Sequence, residues 1–168
     1  MRSGAQAGLR RQEALRRLEA LGFHLSAPLA SKGQYVPVRR HGDVLWVSGH
    51  TGRGPEGLRV VGVVGEEVAL STAQDEARRA AVNLLAAVDG SPALPSGLGE
   101  VEALLHVRVY VRAAPDFTEH PAVADAASEL LAETLGQDVG EHARTAVGVA
   151  SLPGGAPVEL EAVLACCG

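Results

Sequence analysis

Aromatic side chains are scarce in this chain: Phe, Trp and Tyr together make up 3% of its 168 residues. Proteins that grip single-stranded nucleic acid stack bases on such rings, and here there is little to stack on. Lysine is scarcer still, since Lys32 is the only one and arginine supplies every other basic side chain. The 20 acidic residues outnumber the 15 Lys and Arg residues, for a net charge of −5, the wrong sign for neutralising a phosphate backbone. No nucleic acid is therefore expected as a partner. No apolar run approaches the roughly 18–20 residues of a membrane span, so no membrane is expected either. No apolar stretch follows Met1-Arg2 as a secretory leader requires, and the expected location is the cytoplasm. The two cysteines, Cys166 and Cys167, are adjacent. Neither their number nor their spacing makes a disulfide framework or a structural zinc site, and they read as tail thiols. Also missing are a Gly-x-Gly-x-x-Gly turn between strand and helix, a phosphate-binding Gly-rich loop, a Gly-x-Ser-x-Gly elbow and a His-Glu-x-x-His pair. The histidines stand singly along the chain, so no metal site is expected.

What is present reads as an ordinary globular chain. Hydrophobic residues make up 46% and charged ones 21%, close to the average for globular domains, and the length corresponds to one domain. Leu15, Leu18 and Leu21 recur at three-residue spacing opposite Arg10, Arg11, Arg16 and Arg17, which predicts a helix over about 6–21 with Gly22 just past its end. A linker, Ser26–Gly33, follows. Tyr35–Val38 and Val44–Ser48 predict a hairpin turning at His41-Gly42-Asp43. Val60–Val64 is either a short third strand or a loop crossing the site. Ala73, Ala77, Ala80, Ala81, Leu84 and Leu85 form the apolar stripe of a helix over 71–88, with Ser71 as its candidate N-cap. A long strand over 101–111, a helix over 121–135 and two final strands, 143–150 and 157–165, complete the order, with Leu152–Ala156 as a hairpin loop. Paired strands with intervening helices predict an α+β fold, one antiparallel or mixed sheet with two helices on one face. The division is an N-terminal helix and linker over 1–32 and a single domain over 33–168.

Three acidic and basic residues carry the chemistry. Arg144 lies in a strand whose same-face neighbours, Ala146 and Gly148, are small, leaving space before a planar guanidinium that takes a carboxylate in two-pronged fashion. A core or interface salt bridge is the other reading of that residue, and the sequence leaves both open. Glu159 and Glu161 share one strand face about 7 Å apart; they are an acid and a base, or the wet side of a strand. In a simple hairpin of the last two strands, Val149 would oppose Glu159 and Arg144 would stand roughly 17 Å further along. The two could then share a ligand only across a subunit boundary. His142, on the same face as Arg144, reads as an interface group or a third cleft residue.

These residues bring a family into view. Tyr35-x-Pro, Val47-Ser48-Gly49 after a hairpin, Asp116-Phe117 after the long strand, and above all Ala143-Arg144-Thr-Ala-Val-Gly-Val, Leu152-Pro153 and Val158-Glu159-Leu-Glu161-Ala162 resemble the reactive intermediate deaminase family. It is also known as the Rid or YjgF-like family and carries the label endoribonuclease L-PSP. The likeness runs through residues 33–165 in order and is nearest to a subgroup without a settled function. It implies a chorismate-mutase-like α+β domain over 33–168, assembled as a homotrimer with clefts between subunits. In the deaminating members an arginine at the place of Arg144 holds the carboxylate of a 2-imino or enamino acid, and a glutamate at the place of Glu159 positions the attacking water. An aromatic at the place of Tyr35 and the Ser48-Gly49 corner line the cleft, Ala146 stands where such members often carry Cys, and no cofactor is implied. This chain departs from the pattern at His50-Thr51, where the family continues with Gln and an apolar residue.

The activity that follows is hydrolysis of a small 2-imino or enamino acid to a 2-keto acid and ammonia. A non-catalytic module of the same fold that binds a small carboxylate is the alternative. The ribonuclease implied by the family's older label fits poorly with an acidic chain holding one lysine and few aromatics.

Overall fold

In a computed structural model of the chain, residues 4–31 and 33–167 are described. Met1-Arg2 and the lone Lys32 lie outside them. Strands β1 (Val38–His41) and β2 (Val44–Thr51) form a tight hairpin whose turn begins at Gly42, held at φ 59°. Helix α2 (Leu70–Asp89), strand β3 (Val101–Arg112), helix α3 (His120–Leu135), the short turn α4 (Gln137–Gly140), strand β4 (Ala143–Val149) and strand β5 (Val158–Cys166) follow; α1 (Gly4–Ala20) precedes them all. The five strands make one mixed sheet in the order β1-β2-β5-β3-β4, with β3 and β4 parallel and the other pairs antiparallel.

The period-two pattern assigns the faces. Leu45, Val47, Val107, Val109, Leu160, Ala162 and Leu164 are almost fully buried on the face covered by α2 and α3. Alanines at 73, 77, 80 and 81 keep α2 thin where it meets the sheet, and Leu84, Leu85 and Leu131 fill the space between. Truncating one such leucine to alanine costs about 2–5 kcal/mol. Among the described residues no helix covers the other sheet face, which carries Trp46, Leu105 and Val147, each at least 40% exposed. Helix α1 docks through Ala7, Ala14 and Leu18. Gly99 permits this, since a Cβ there would lie 1.9 Å from the Ala7 carbonyl oxygen. Among the described residues no helix is long and apolar enough to cross a membrane.

Three expectations are corrected. The last two strands are not a hairpin: β3 lies between β4 and β5, and 150–157 crosses its end. That crossing is pinned to the end of β3, where Arg112 donates its backbone N–H to Pro157 (2.9 Å) and Nη1 to Gly155 (3.3 Å). Ser71 is not the N-cap, because α2 begins at Leu70 with Ala69 in the cap position and no side-chain cap. The cysteines are not a loose tail. Cys166 ends β5 inside the core, and both backbone N–H groups are bonded, to Asp43 (2.8 Å) and Glu100 (3.0 Å). Val60–Val64 resolves as a loop, held at Val64 by one bridge to the end of β3.

Candidate functional site

The site begins with a fault in a strand. Along β2 the register passes from Val47↔Ala162 to His50↔Leu160, so β2 spends one residue more than β5 over the same span. The surplus falls at Ser48-Gly49 and makes a β-bulge, which turns the chain and re-aims its side chains. Ser48 then ties down the segment ahead of β1, its N–H donating to Pro37 O (2.9 Å) and its Oγ to Val36 O (3.1 Å). Glycine at 49 leaves room for the Glu159 carboxylate, since a Cβ there would stand 1.8 Å from Glu159 Oε1 and push that side chain aside. Downstream, Asn83 on α2 clamps the strand end by donating Nδ2 to Thr51 O and Arg53 O, each at 2.8 Å.

A cleft of about 180 Å³ opens there, lined among others by Tyr35, Ser48, Gly49, His50, Pro153 and Glu159. Tyr35 stands at its mouth, 54% exposed. Glu159 reaches in from β5 and, among the described residues, accepts no hydrogen bond. Burial first, and the charge of Glu161 second, push its carboxyl above the ordinary range. Glu161 is differently placed, accepting from Arg108 Nη1 (2.7 Å) and the Tyr110 hydroxyl (3.1 Å). The two carboxylates are therefore not a matched pair: one is tied up on the open sheet face and one is free in the cleft. His50 is drawn in as well. Its Nδ1 lies 2.7 Å from Ser48 O, which only accepts, so the proton sits on Nδ1 and Nε2 is left as an acceptor. Burial lowers its pKa, opposed by that backbone bond and assisted by the charge of Arg53.

Arg144 is not in this cleft. It pairs with Val107 and Glu159 pairs with Tyr110. Val107 and Tyr110 are three residues apart on one strand, hence on opposite faces. Arg144 lies on the helix side at the sheet edge, where Nη1 donates to Asp125 Oδ1 (2.7 Å) and Ser128 Oγ (3.1 Å) of α3. Ala146 packs against the core on the same side, and the space over Gly148 is filled by His120, whose Nε2 lies 2.5 Å from where a Cβ would be. The room expected before the guanidinium is thus partly taken by α3. Asp125 and Ser128 escaped the sequence reading, because α3 carries Glu129, Glu133 and Thr134 as well and nothing in the pattern sets these two apart. Among the described residues no group of three or more His, Cys, Asp or Glu is placed to hold a metal ion.

Comparison with known proteins agrees with this architecture. The family model described as endoribonuclease L-PSP matches residues 25–166. Protein TCP17 of Trypanosoma cruzi is 35% identical over 147 residues, covering 88% of this chain and 90% of that one. A 2-iminobutanoate/2-iminopropanoate deaminase of Dermatophagoides farinae is 28% identical over 142 residues, covering 83% and 93%. The crystal structure of Atu1372 from Agrobacterium tumefaciens, a protein of unknown function, superposes with a TM-score of 0.87 at 36% identity over 94% of this chain and 95% of that one. The chain belongs to the endoribonuclease L-PSP family, the YjgF-like or Rid family whose motifs it carries.

Proposed function

We propose that this protein hydrolyses small 2-imino or enamino acids to 2-keto acids and ammonia, in clefts completed between the subunits of a homotrimer. The observation that carries the reading is Glu159, a carboxylate packed on Gly49, facing a cleft, without a hydrogen-bond partner among the described residues and with a raised pKa. Such a group can take a proton from water as it attacks an imine carbon and return it to the leaving nitrogen. Water adds to the C=N carbon, the carbinolamine loses ammonia, and the C=O bond forms; no redox partner is needed. Arg144 of a neighbouring chain would hold the substrate carboxylate through its planar fork. A subunit boundary is required because Arg144 and Glu159 lie on opposite faces of their own sheet. The helix-free face with Trp46, Leu105 and Val147 offers the apolar surface such an assembly buries. The distant mite relative named as a 2-iminobutanoate/2-iminopropanoate deaminase supports the chemistry. Tyr35 and Ser48-Gly49 would line the cleft from one side and Ala146 from the other.

The test is a coupled assay in which an amino-acid oxidase generates 2-imino acids beside semicarbazide. The wild type is expected to suppress semicarbazone formation, and Arg144→Ala and Glu159→Ala are not. Sedimentation of a stable monomer, or a wild type indistinguishable from buffer across several amino acids, would defeat the proposal. Carboxylate binding without turnover would point instead to a binding module.

A further inference from the structure

Arg144 is held by more than an ion pair, and each donor and acceptor in its surroundings can be assigned. His142 Nδ1 lies 2.6 Å from Gly140 O; a carbonyl only accepts, so Nδ1 carries the proton. In the neutral ring Nε2 is then an acceptor, and the Ser128 hydroxyl, 3.0 Å away, must donate to it. With its hydrogen committed, Ser128 Oγ offers a lone pair to Arg144 Nη1 at 3.1 Å. Asp125 Oδ1 takes the other hydrogen of the same nitrogen at 2.7 Å. The chain of bonds starts at fixed backbone: Gly140 is pressed so closely on α3 that a Cβ there would lie 2.5 Å from Ala132 Cα. Both nitrogens of His142 are thus engaged within its own chain, by Ser128 and Gly140.

We propose that Ser128 and His142 are positioning residues that lock the Nη1 side of the Arg144 guanidinium, so that a ligand carboxylate docks on the Nε/Nη2 edge. The inference rests on the reading of Arg144 as the carboxylate anchor. Five N–H groups radiate from a guanidinium; the two on Nη1 are occupied, and among the described residues Nε and Nη2 have no partner. The end-on approach, through Nη1 and Nη2 together, is closed by Asp125. The side-on approach remains, and it presents two parallel donors at the spacing of a carboxylate. Pre-setting the plane of the fork removes an ordering cost from binding.

Nitrogen-15 spectra of the Arg144 guanidinium test this in the intact assembly without any turnover. In the wild type the Nη groups are expected to resolve as slowly rotating, inequivalent pairs. Ser128→Ala is expected to speed that rotation by about tenfold or more, a loss of the size one hydrogen bond from a charged group supports. Ser128→Thr, which keeps the hydroxyl, is expected to restore the slow rate, and His142→Phe to loosen it in the same direction. Fast rotation in the wild type, or an unchanged rate in Ser128→Ala, overturns the lock whatever the enzyme does. Addition of 2-oxobutanoate is then expected to shift Nε and Nη2 and spare Nη1, and in the imine assay Ser128→Ala should raise KM about fivefold with kcat unchanged. A carboxylate that shifts Nη1 foremost overturns the edge assignment. One that shifts no Arg144 line overturns it too, and rejects Arg144 as the anchor while the Ser128 lock stands.

Discussion

The two charged groups of the proposed chemistry are prepared in opposite ways. Glu159 is poised by withholding partners: a bulge and a glycine open a place for its carboxylate, which then faces the cleft half-buried and, among the described residues, without a hydrogen bond. Arg144 is poised by supplying them, with Asp125 and Ser128 holding one nitrogen and leaving the rest of the fork open. The difference follows from the work each would do. A group that exchanges protons gains from a shifted pKa, which bonding to the charged form would undo. A group that only binds gains from fixed geometry and keeps its charge regardless.

The sharpest way to break this comparison is to put its halves in different chains. Arg144→Ala and Glu159→Ala should each lower turnover by about 10²–10⁴, yet hybrids refolded from a mixture of the two should recover activity. Only a cleft built from two copies allows that, and semicarbazone suppression by the mixture reads it out. Gly49→Ala comes next. Its Cβ would occupy the space of Glu159 Oε1, so turnover should fall toward that of Glu159→Ala while thermal melting stays cooperative.

A third carboxylate sharpens the contrast. Glu76 is 1% exposed, its Oε2 has no hydrogen-bond partner among the described residues, and it presses on Gly52, but it is not among the residues lining the Glu159 cleft. Burial raises its pKa against the pull of Arg59 and Arg79. Between the unfolded and native values the native state therefore holds more of that proton than the unfolded chain does. Stability from this group is complete below the ordinary carboxylate pKa of about 4.3 and is lost as pH rises through the native value. Glu76→Gln should therefore flatten the fall of stability with pH and add about 1–2 kcal/mol at pH 8, as relief of a buried charge, measured by urea melts at several pH values. The smallest effect is expected from Glu161→Gln. Removing that neighbouring charge should move the acid limb of the rate profile to lower pH, since Glu161 contributes the lesser part of the Glu159 shift, and should cost under about 1 kcal/mol in stability because the Arg108 pair is exposed.

Much of this molecule was legible from its residues. The alanine and leucine stripe of α2 and the alternating valines of β3 are local patterns, and the structure keeps them. The α+β class followed from their order. The neighbour of β5 did not, because two strands joined by a short glycine-containing loop normally pair, and nothing local says that a third strand will lie between them. What decides it is the parallel pairing of β4 with β3, each pair made between residues 37 apart. The same limit applies to the site. Tyr35, Ser48, Gly49 and Glu159 gather in one cleft, but the Asp125 and Ser128 contacts depend on how α3 lies along β4, which no spacing in the sequence encodes.

The bulge at Ser48-Gly49 has a further consequence: it works as a change of reading frame. Ahead of it, even positions such as Trp46 look to the open face; beyond it, Thr51 shares that face with its partner Glu159, and His50 is paired with buried Leu160. A substitution at either residue alters one contact. Deletion of either would put the two halves of β2 back in a single frame, so that one half must turn inside out. Either the hairpin would bury Trp46 and expose Leu45 and Val47, or the cleft wall would rotate away from Glu159. The corner is therefore more tolerant of a change in letter than of a change in length.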